Sequence, residues 1–178
     1  MEYELVSSAT VYSSKAFSIR KDEVRLPKGK NVLLDIVDHA PAVAVVPVDE
    51  EGNIWFIRQY RHASGQTLLE LPAGVLDGDE EPDHGAMREL REEIGMAARE
   101  LRGVGGYFLA PGYSTEYLHV YLARELFPSP LPQDEDELIS IEKIGISQAY
   151  ALAESGQLSD AKSLAALLLV QQYIRPRG

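Results

Sequence analysis

The segment PDHGAMRELREEIG, from Pro82 to Gly95, constrains this chain more than any other. Proline suits the first position of a helix, because the donor it lacks would have no partner there, and glycine suits the stop. A helix over these residues places Glu89, Glu92 and Glu93 at i, i+3 and i+4, on one face. Like charges at that spacing oppose a helix by about 0.2–0.5 kcal/mol per pair. A solvated outer face tolerates so small a penalty, so the charge pattern alone leaves a plain surface helix open. Whatever fold forms must accommodate this single acidic helix between two groups of strands.

Those strands read clearly. YELVSSATVY, FSIRKDEVRL and NVLLDIVDH fill the first forty residues, with the turn LPKGKN between the last two. AVAVVPVD and NIWFIRQYR follow, and the Gly-Asn pair in DEEGN predicts a hairpin between them. LLELPAG is an apolar strand interrupted by Pro72 and Gly74, and GGYFLA, TEYLHVYLARE and LISIEKI are the later strands. FPSPLPQDEDE, with three prolines and four acids, is a loop. Two helical patterns, ISQAYALAESG and DAKSLAALLLVQQYI, lie toward the C-terminal end. The order of strands, helix, strands and helices predicts a mixed α+β or α/β domain with a β-rich N-terminal piece.

Composition narrows the chemistry. The 178 residues contain no cysteine, which excludes disulfides, zinc-thiolate sites and thiol nucleophiles. The four histidines, His39, His62, His84 and His119, have no paired metal-ligand spacing. The net charge is −11 with no basic run, so neither nucleic acid nor an anionic membrane is an expected partner. No apolar stretch is long enough to span a bilayer, and MEYELVSSATVYSS lacks the basic start and apolar core of a signal peptide. A cytoplasmic location is the expectation. An anionic ligand would need a recruited positive charge, and a divalent cation is the usual source.

The acidic helix is the end of a longer pattern. Gly74, Glu80, Arg88-Glu89-Leu90, Glu92-Glu93 and Gly95-Met96 stand at the spacings of the Nudix signature, and every fixed position matches. The chain therefore resembles the Nudix hydrolases. The resemblance implies an α/β/α sandwich over residues 41–178, with residues 1–40 as a small antiparallel β piece packed or exchanged across a two-fold homodimer. It also implies a Mg²⁺ cofactor, or Mn²⁺, held by the carbonyl of Ala73 and the carboxylates of Glu89 and Glu93, with Glu92 nearby. Hard oxygen donors on one helix face are what such cations prefer. Arg88 is then a scaffold residue that pairs with Glu80 or its neighbours.

Further motifs narrow the branch. Ala110-Pro111-Gly112-Tyr113-Ser114-Thr115-Glu116 is similar to a Ser-Pro-Gly-x-x-x-Glu loop of the ADP-ribose pyrophosphatases, with Ala110 in place of the serine. On that resemblance Glu116 contacts the terminal ribose. By itself Pro111-Gly112 is equally a simple turn. Asp134-Glu135-Asp136-Glu137 is by composition a solvated acidic loop. By resemblance it supplies Glu135 as the base and Glu137 as a further metal ligand, and those two roles can be exchanged. Arg61 matches the family arginine that contacts the pyrophosphate, and Arg58 stands with it or belongs to a sheet surface. Phe17 is the N-terminal aromatic assigned to a partner subunit's site, against the plainer role of sheet packing.

The activity this implies is metal-dependent hydrolysis of the pyrophosphate bond of ADP-ribose to AMP and ribose 5-phosphate. Two alternatives remain at this point. One is another nucleoside diphosphate sugar or a dinucleoside polyphosphate as substrate. The other is a non-catalytic ADP-ribose-binding sensor, which the intact motif disfavours.

Overall fold

The computed structural model describes residues 2–133 and 138–174. Two compact units make up the chain, Met1–Pro41 with Tyr107–Tyr117, and Ala42–Gly106 with Leu118–Gly178.

The first unit is an antiparallel sheet of β1 (Glu4–Ser13), β2 (Ser18–Arg25) and β3 (Asn31–Asp38), in that spatial order. Its middle strand carries the polar anchors. Asp22 accepts hydrogen bonds from Ser8 Oγ at 2.6 Å and Arg20 Nε at 3.0 Å, and Arg20 Nη1 reaches Asp38 at 3.0 Å. The segment 110–116 hooks onto the end of β3. Val37 N–H donates to the Tyr113 carbonyl at 2.7 Å, and Thr115 N–H donates back to Val37 at 3.0 Å. All of β1 is exposed, with Leu5, Val6, Val11 and Tyr12 among its outward side chains.

Among the described residues, the second unit holds two sheets and three helices. Its strands are β4 (Ala42–Pro47), β5 (Asn53–Arg61), β6 (Gln66–Glu70), β7 (Ala73–Val75), most of β8 (Met96–Phe108) and β9 (Tyr117–Pro128), and β10 (Ile139–Gly145). The helices are α1 (Pro82–Glu93), α2 (Ile146–Glu154) and α3 (Ala161–Ile174). One sheet runs β7-β4-β9-β8 and the other β10-β5-β6. Strand β4 lies parallel to β9 and antiparallel to β7. Every residue of β4 is buried, as its unbroken apolar run requires of a strand covered on both faces. Val43 and Val45 pack with Ala86, Leu90 and Ile94 around α1, and Ile57 of the other sheet joins the same cluster. Alternation turns Ala44 and Val46 to the opposite face, and α3 also packs on β4. The layering is thus helix, sheet, helix. No helix among the described residues is long and apolar enough to cross a membrane.

Two expectations from the sequence are corrected. DEEGN does close a tight turn, with Gly52 N–H donating to Asp49 and an isolated bridge between Val48 and Ile54. Beyond that bridge the strands part, β4 into one sheet and β5 into the other, so the hairpin is only its tip. Strand β8 also starts at Met96, nine residues before the GGYFLA stretch. Its exposed Arg99, Glu100 and Arg102 and its glycines dilute the β pattern that sequence reading relies on.

The passage from α1 into β8 depends on Gly95, whose φ is +69°, the left-handed conformation that ends a helix. Gly95→Ala is expected to destabilise the fold by about 1 kcal/mol, read as a lower denaturation midpoint in urea.

Candidate functional site

Arg88 organises the acidic helix. Its guanidinium has five N–H donors in a fixed plane, and all five find acceptors. Nε and Nη2 donate to the two oxygens of Glu80 at 3.1 and 2.9 Å, and Nη2 also donates to the Val75 carbonyl at 3.0 Å. Nη1 donates to Glu89 at 2.6 Å and to Glu92 at 2.9 Å. Hydrogen bonding to Glu80, opposed by burial and assisted by Glu89 and Glu92, raises the Arg88 pKa above its ordinary value. The same pairing lowers that of Glu80, which also accepts Asp77 N–H at 3.2 Å. Loop 75–80 is therefore clamped to the helix through one side chain.

The glutamates sit at the C-terminal half of α1, where the helix dipole adds negative potential to their own. Glu93 is 1% exposed, and its Oε2 accepts the Ala73 N–H at 2.9 Å, joining the helix end to β7. Glu89 lies directly against the same strand. A Cβ at Gly74 would stand 1.9 Å from Glu89 Oε1, so only glycine leaves room for that carboxylate. The donor set is oxygen only, on one face, cradled by backbone that carries no side chain there. Its chemistry fits Mg²⁺ or Mn²⁺. Among the described residues no three acidic or histidine side chains converge closely enough to hold an ion as they stand. Glu89 and Glu92 are instead drawn to one nitrogen of Arg88.

A second polar cluster was not anticipated from the sequence. Glu70, at the end of β6 and 1% exposed, receives Arg61 in a two-pronged pair, Nε to Oε1 at 2.9 Å and Nη2 to Oε2 at 2.7 Å. Lys162 Nζ donates to the same Oε2 at 3.0 Å and to Asp160 Oδ1 at 2.9 Å. Asp160 caps α3 by accepting Ser163 N–H at 2.9 Å and its Oγ–H at 2.7 Å, and Ser163 Oγ accepts Leu71 N–H at 2.8 Å. Burial pushes the Glu70 and Asp160 carboxyls up, but hydrogen bonds and cations outweigh it and hold both below their usual range. Burial likewise pulls Lys162 down, and Asp160 and Glu70 together raise it. A lone acid inside the apolar run LLELPAG was the available signal for this cluster.

The remaining candidates fall as follows. Arg61 keeps 38% of its side chain exposed beyond its pairing with Glu70. Arg58 points from the other face of β5 and pairs across the sheet with Glu142. It borders a groove of about 400 Å³ with Tyr60, Thr67, Gln133, Leu138, Ile139 and Ser140. In the first unit, Pro111 and Gly112 form an exposed turn in which the Ala110 carbonyl accepts Tyr113 and Ser114 N–H groups at 3.0 and 2.8 Å. Glu116 follows, half-buried, its N–H bound to Ser114 Oγ at 3.2 Å. Phe17 is exposed at the β1–β2 turn, its ring 6.1 Å from that of Tyr12. Glu135 and Glu137 lie outside the described residues.

Two outcomes follow from this geometry. Gly74→Ala should dislodge the Glu89 carboxylate and weaken Mn²⁺ binding at least tenfold, measured by titration calorimetry. The pH dependence has a definite sign. Glu70 and Asp160 have folded pKa values below their unfolded ones, so their stabilisation is complete above about pH 5 and is lost as pH falls through the folded values. Lys162 is raised, so its share is complete below about pH 10 and is lost as pH rises through its folded value. A melting-temperature scan should show a plateau between those limits, and Glu70→Gln should flatten its acid side.

Comparison with known proteins addresses the family as a whole. The NUDIX domain model matches residues 38–167. An ADP-ribose pyrophosphatase of Bacillus subtilis is 35% identical over 173 residues, covering 96% of this chain and 94% of the relative. One from Mycobacterium tuberculosis is 38% identical over 172 residues, covering 95% of this chain and 83% of the relative. The crystal structure of an ADP compounds hydrolase superposes with a TM-score of 0.88 at 24% identity, over 98% of this chain and 95% of that one. Motif, fold and sequence similarity agree, and this chain belongs to the Nudix family.

Proposed function

We propose that this chain is a metal-dependent pyrophosphohydrolase that cleaves ADP-ribose to AMP and ribose 5-phosphate. The observation that carries this reading is the similarity to two ADP-ribose pyrophosphatases, 35% and 38% identical over 95–96% of the chain. The intact acidic motif makes hydrolysis, rather than mere binding, the natural activity.

The carbonyl of Ala73 and the carboxylates of Glu89, Glu92, Glu93 and Glu137 are assigned to Mg²⁺, with Mn²⁺ as a substitute. A cation held there would supply positive charge against the diphosphate and acidify water. Glu135 is assigned as the general base for the attacking water. Arg61 donates to the diphosphate with the part of its guanidinium that Glu70 leaves outward, while Arg58, on the opposite face of β5 and paired with Glu142, takes the sheet-surface role. A planar guanidinium suits this task because it can present two parallel donors to one phosphate. Glu116 hydrogen-bonds the terminal ribose from the turn that Pro111 and Gly112 shape. Arg88 touches no substrate in this scheme. It holds Glu89 and Glu92 in place and keeps loop 75–80 against the helix.

The assembly is assigned as a homodimer in the cytoplasm, with residues 1–40 as the dimerising β piece and Phe17 reaching the neighbouring subunit's site. The exposed apolar residues of β1 support this, since a three-stranded sheet with such a surface gains by being covered.

A hydrolysis screen over nucleoside diphosphate derivatives, with products identified by mass, tests the reading. ADP-ribose should give AMP and ribose 5-phosphate in the presence of Mg²⁺ and nothing with chelator. Glu93→Gln should lower turnover by roughly two orders of magnitude or more while the fold persists. Glu135→Gln should depress turnover at unchanged metal affinity, whereas Glu137→Gln should raise the metal concentration for half-maximal rate and be rescued by excess metal. Reversal of that pair of results exchanges the two roles. Equal turnover of GDP-mannose and ADP-ribose would defeat the substrate assignment.

A further inference from the structure

The cluster behind Arg61 has a property that simple packing does not require. An arginine facing one buried carboxylate would close into a neutral pair with little charge left for an anionic ligand. Here Glu70 is shared. Its Oε2 accepts from Arg61 Nη2 at 2.7 Å and from Lys162 Nζ at 3.0 Å, so its negative charge is divided between two cations. Lys162 in turn meets Asp160, whose other oxygen is occupied by two donors of Ser163 at the N-terminal end of α3. The positive pole of that helix offsets part of the Asp160 charge. Ser163 then accepts Leu71 N–H, which fixes the first turn of α3 to the residue following Glu70. The result is a rigid backing for Glu70, and through Glu70 for both bonded nitrogens of Arg61.

We propose that Lys162 is a positioning residue for Arg61. Holding Glu70 from behind, it sets the direction of the guanidinium and leaves its charge available to the diphosphate of the substrate. The inference rests on the reading of Arg61 as a diphosphate contact, and extends the substrate-binding apparatus to α3, which the Nudix signature does not reach. Without Lys162, the group Arg61, Glu70 and Asp160 has a formal charge of −1 and would repel an anion. Arg61 would also be drawn more fully onto Glu70.

The test compares Lys162→Met, Lys162→Gln and Lys162→Arg with the unaltered protein, on ADP-ribose with saturating Mg²⁺. Lys162→Met should raise KM about tenfold and change kcat much less, because a charge-assisted contact made equally in ground and transition states is weakened. Lys162→Arg should restore most of the lost affinity. Lys162→Gln carries the same expectation for KM as Lys162→Met, and decides the matter if the methionine variant does not fold. Unchanged KM in the uncharged variants, or a KM defect that Lys162→Arg fails to reverse, overturns the proposal. Melting temperatures measured without substrate give the structural cost separately, and a lower melting temperature with normal KM also overturns it. The parent reading fails in a different way: the unaltered protein would then not cleave ADP-ribose at all.

Discussion

One guanidinium holds the acidic helix together. Three glutamates within two turns, near the negative pole of α1, repel one another and the helix dipole alike. Arg88 answers both effects by placing all five of its donors on acceptors, two of them on Glu89 and Glu92. Because its other nitrogens bind Glu80 and the Val75 carbonyl, the same side chain fixes the loop that precedes the helix. Lysine could not do this, since its three donors radiate from a single point and cannot span a carboxylate, a carbonyl and a second pair of carboxylates in one plane. The space that Glu89 needs is cleared on the other side by the missing side chain at Gly74.

The rest of the second unit is arranged so that this helix has a floor. Ala86 and Leu90 of α1, with Ile94 just after it, bury themselves with Val43 and Val45 of β4 and Ile57 of β5. Burial of a side chain such as Leu90 contributes about 1.5–3 kcal/mol, far more than the mutual repulsion of the glutamates on the adjoining face. Hydrophobic packing thus decides that the helix forms, and electrostatics decide which of its faces is left for chemistry. The buried cluster of Glu70, Lys162, Asp160 and Ser163 plays a matching part for α3. It satisfies every carboxylate oxygen it buries, as a low-dielectric interior demands.

Much of this was legible in the residues. Pro82 and Gly95 marked the ends of α1 because each suits a backbone state that other residues adopt poorly. The spacing of Gly74, Glu80, Arg88, Glu89, Glu92 and Glu93 encodes contacts that are local in the chain, and local contacts are what a pattern can reveal. The split of LLELPAG into β6 and β7 was foreshadowed by Pro72, which cannot donate to a ladder. Pairing was harder to read. The turn after Asp49 looks like a hairpin, yet β4 finds its partners in β7 and β9, the second of them more than seventy residues away. Turn chemistry governs only the few residues nearest the turn, and the choice of sheet is made by what each strand can bury.

The sequence by itself determined the family motif, the one-faced acidic helix and its ends, because these depend on residue types at fixed short separations. Only the tertiary structure decided that Glu70 is buried, that Arg61 is bound to it, and that Lys162 and Asp160 of α3 complete the cluster. Asp160 and Lys162 stand about ninety positions beyond Glu70, and no periodicity links them to it. Folding brings them together because a buried carboxylate must be neutralised where it lies. The cations that do so are chosen by which elements pack there, not by their order along the chain.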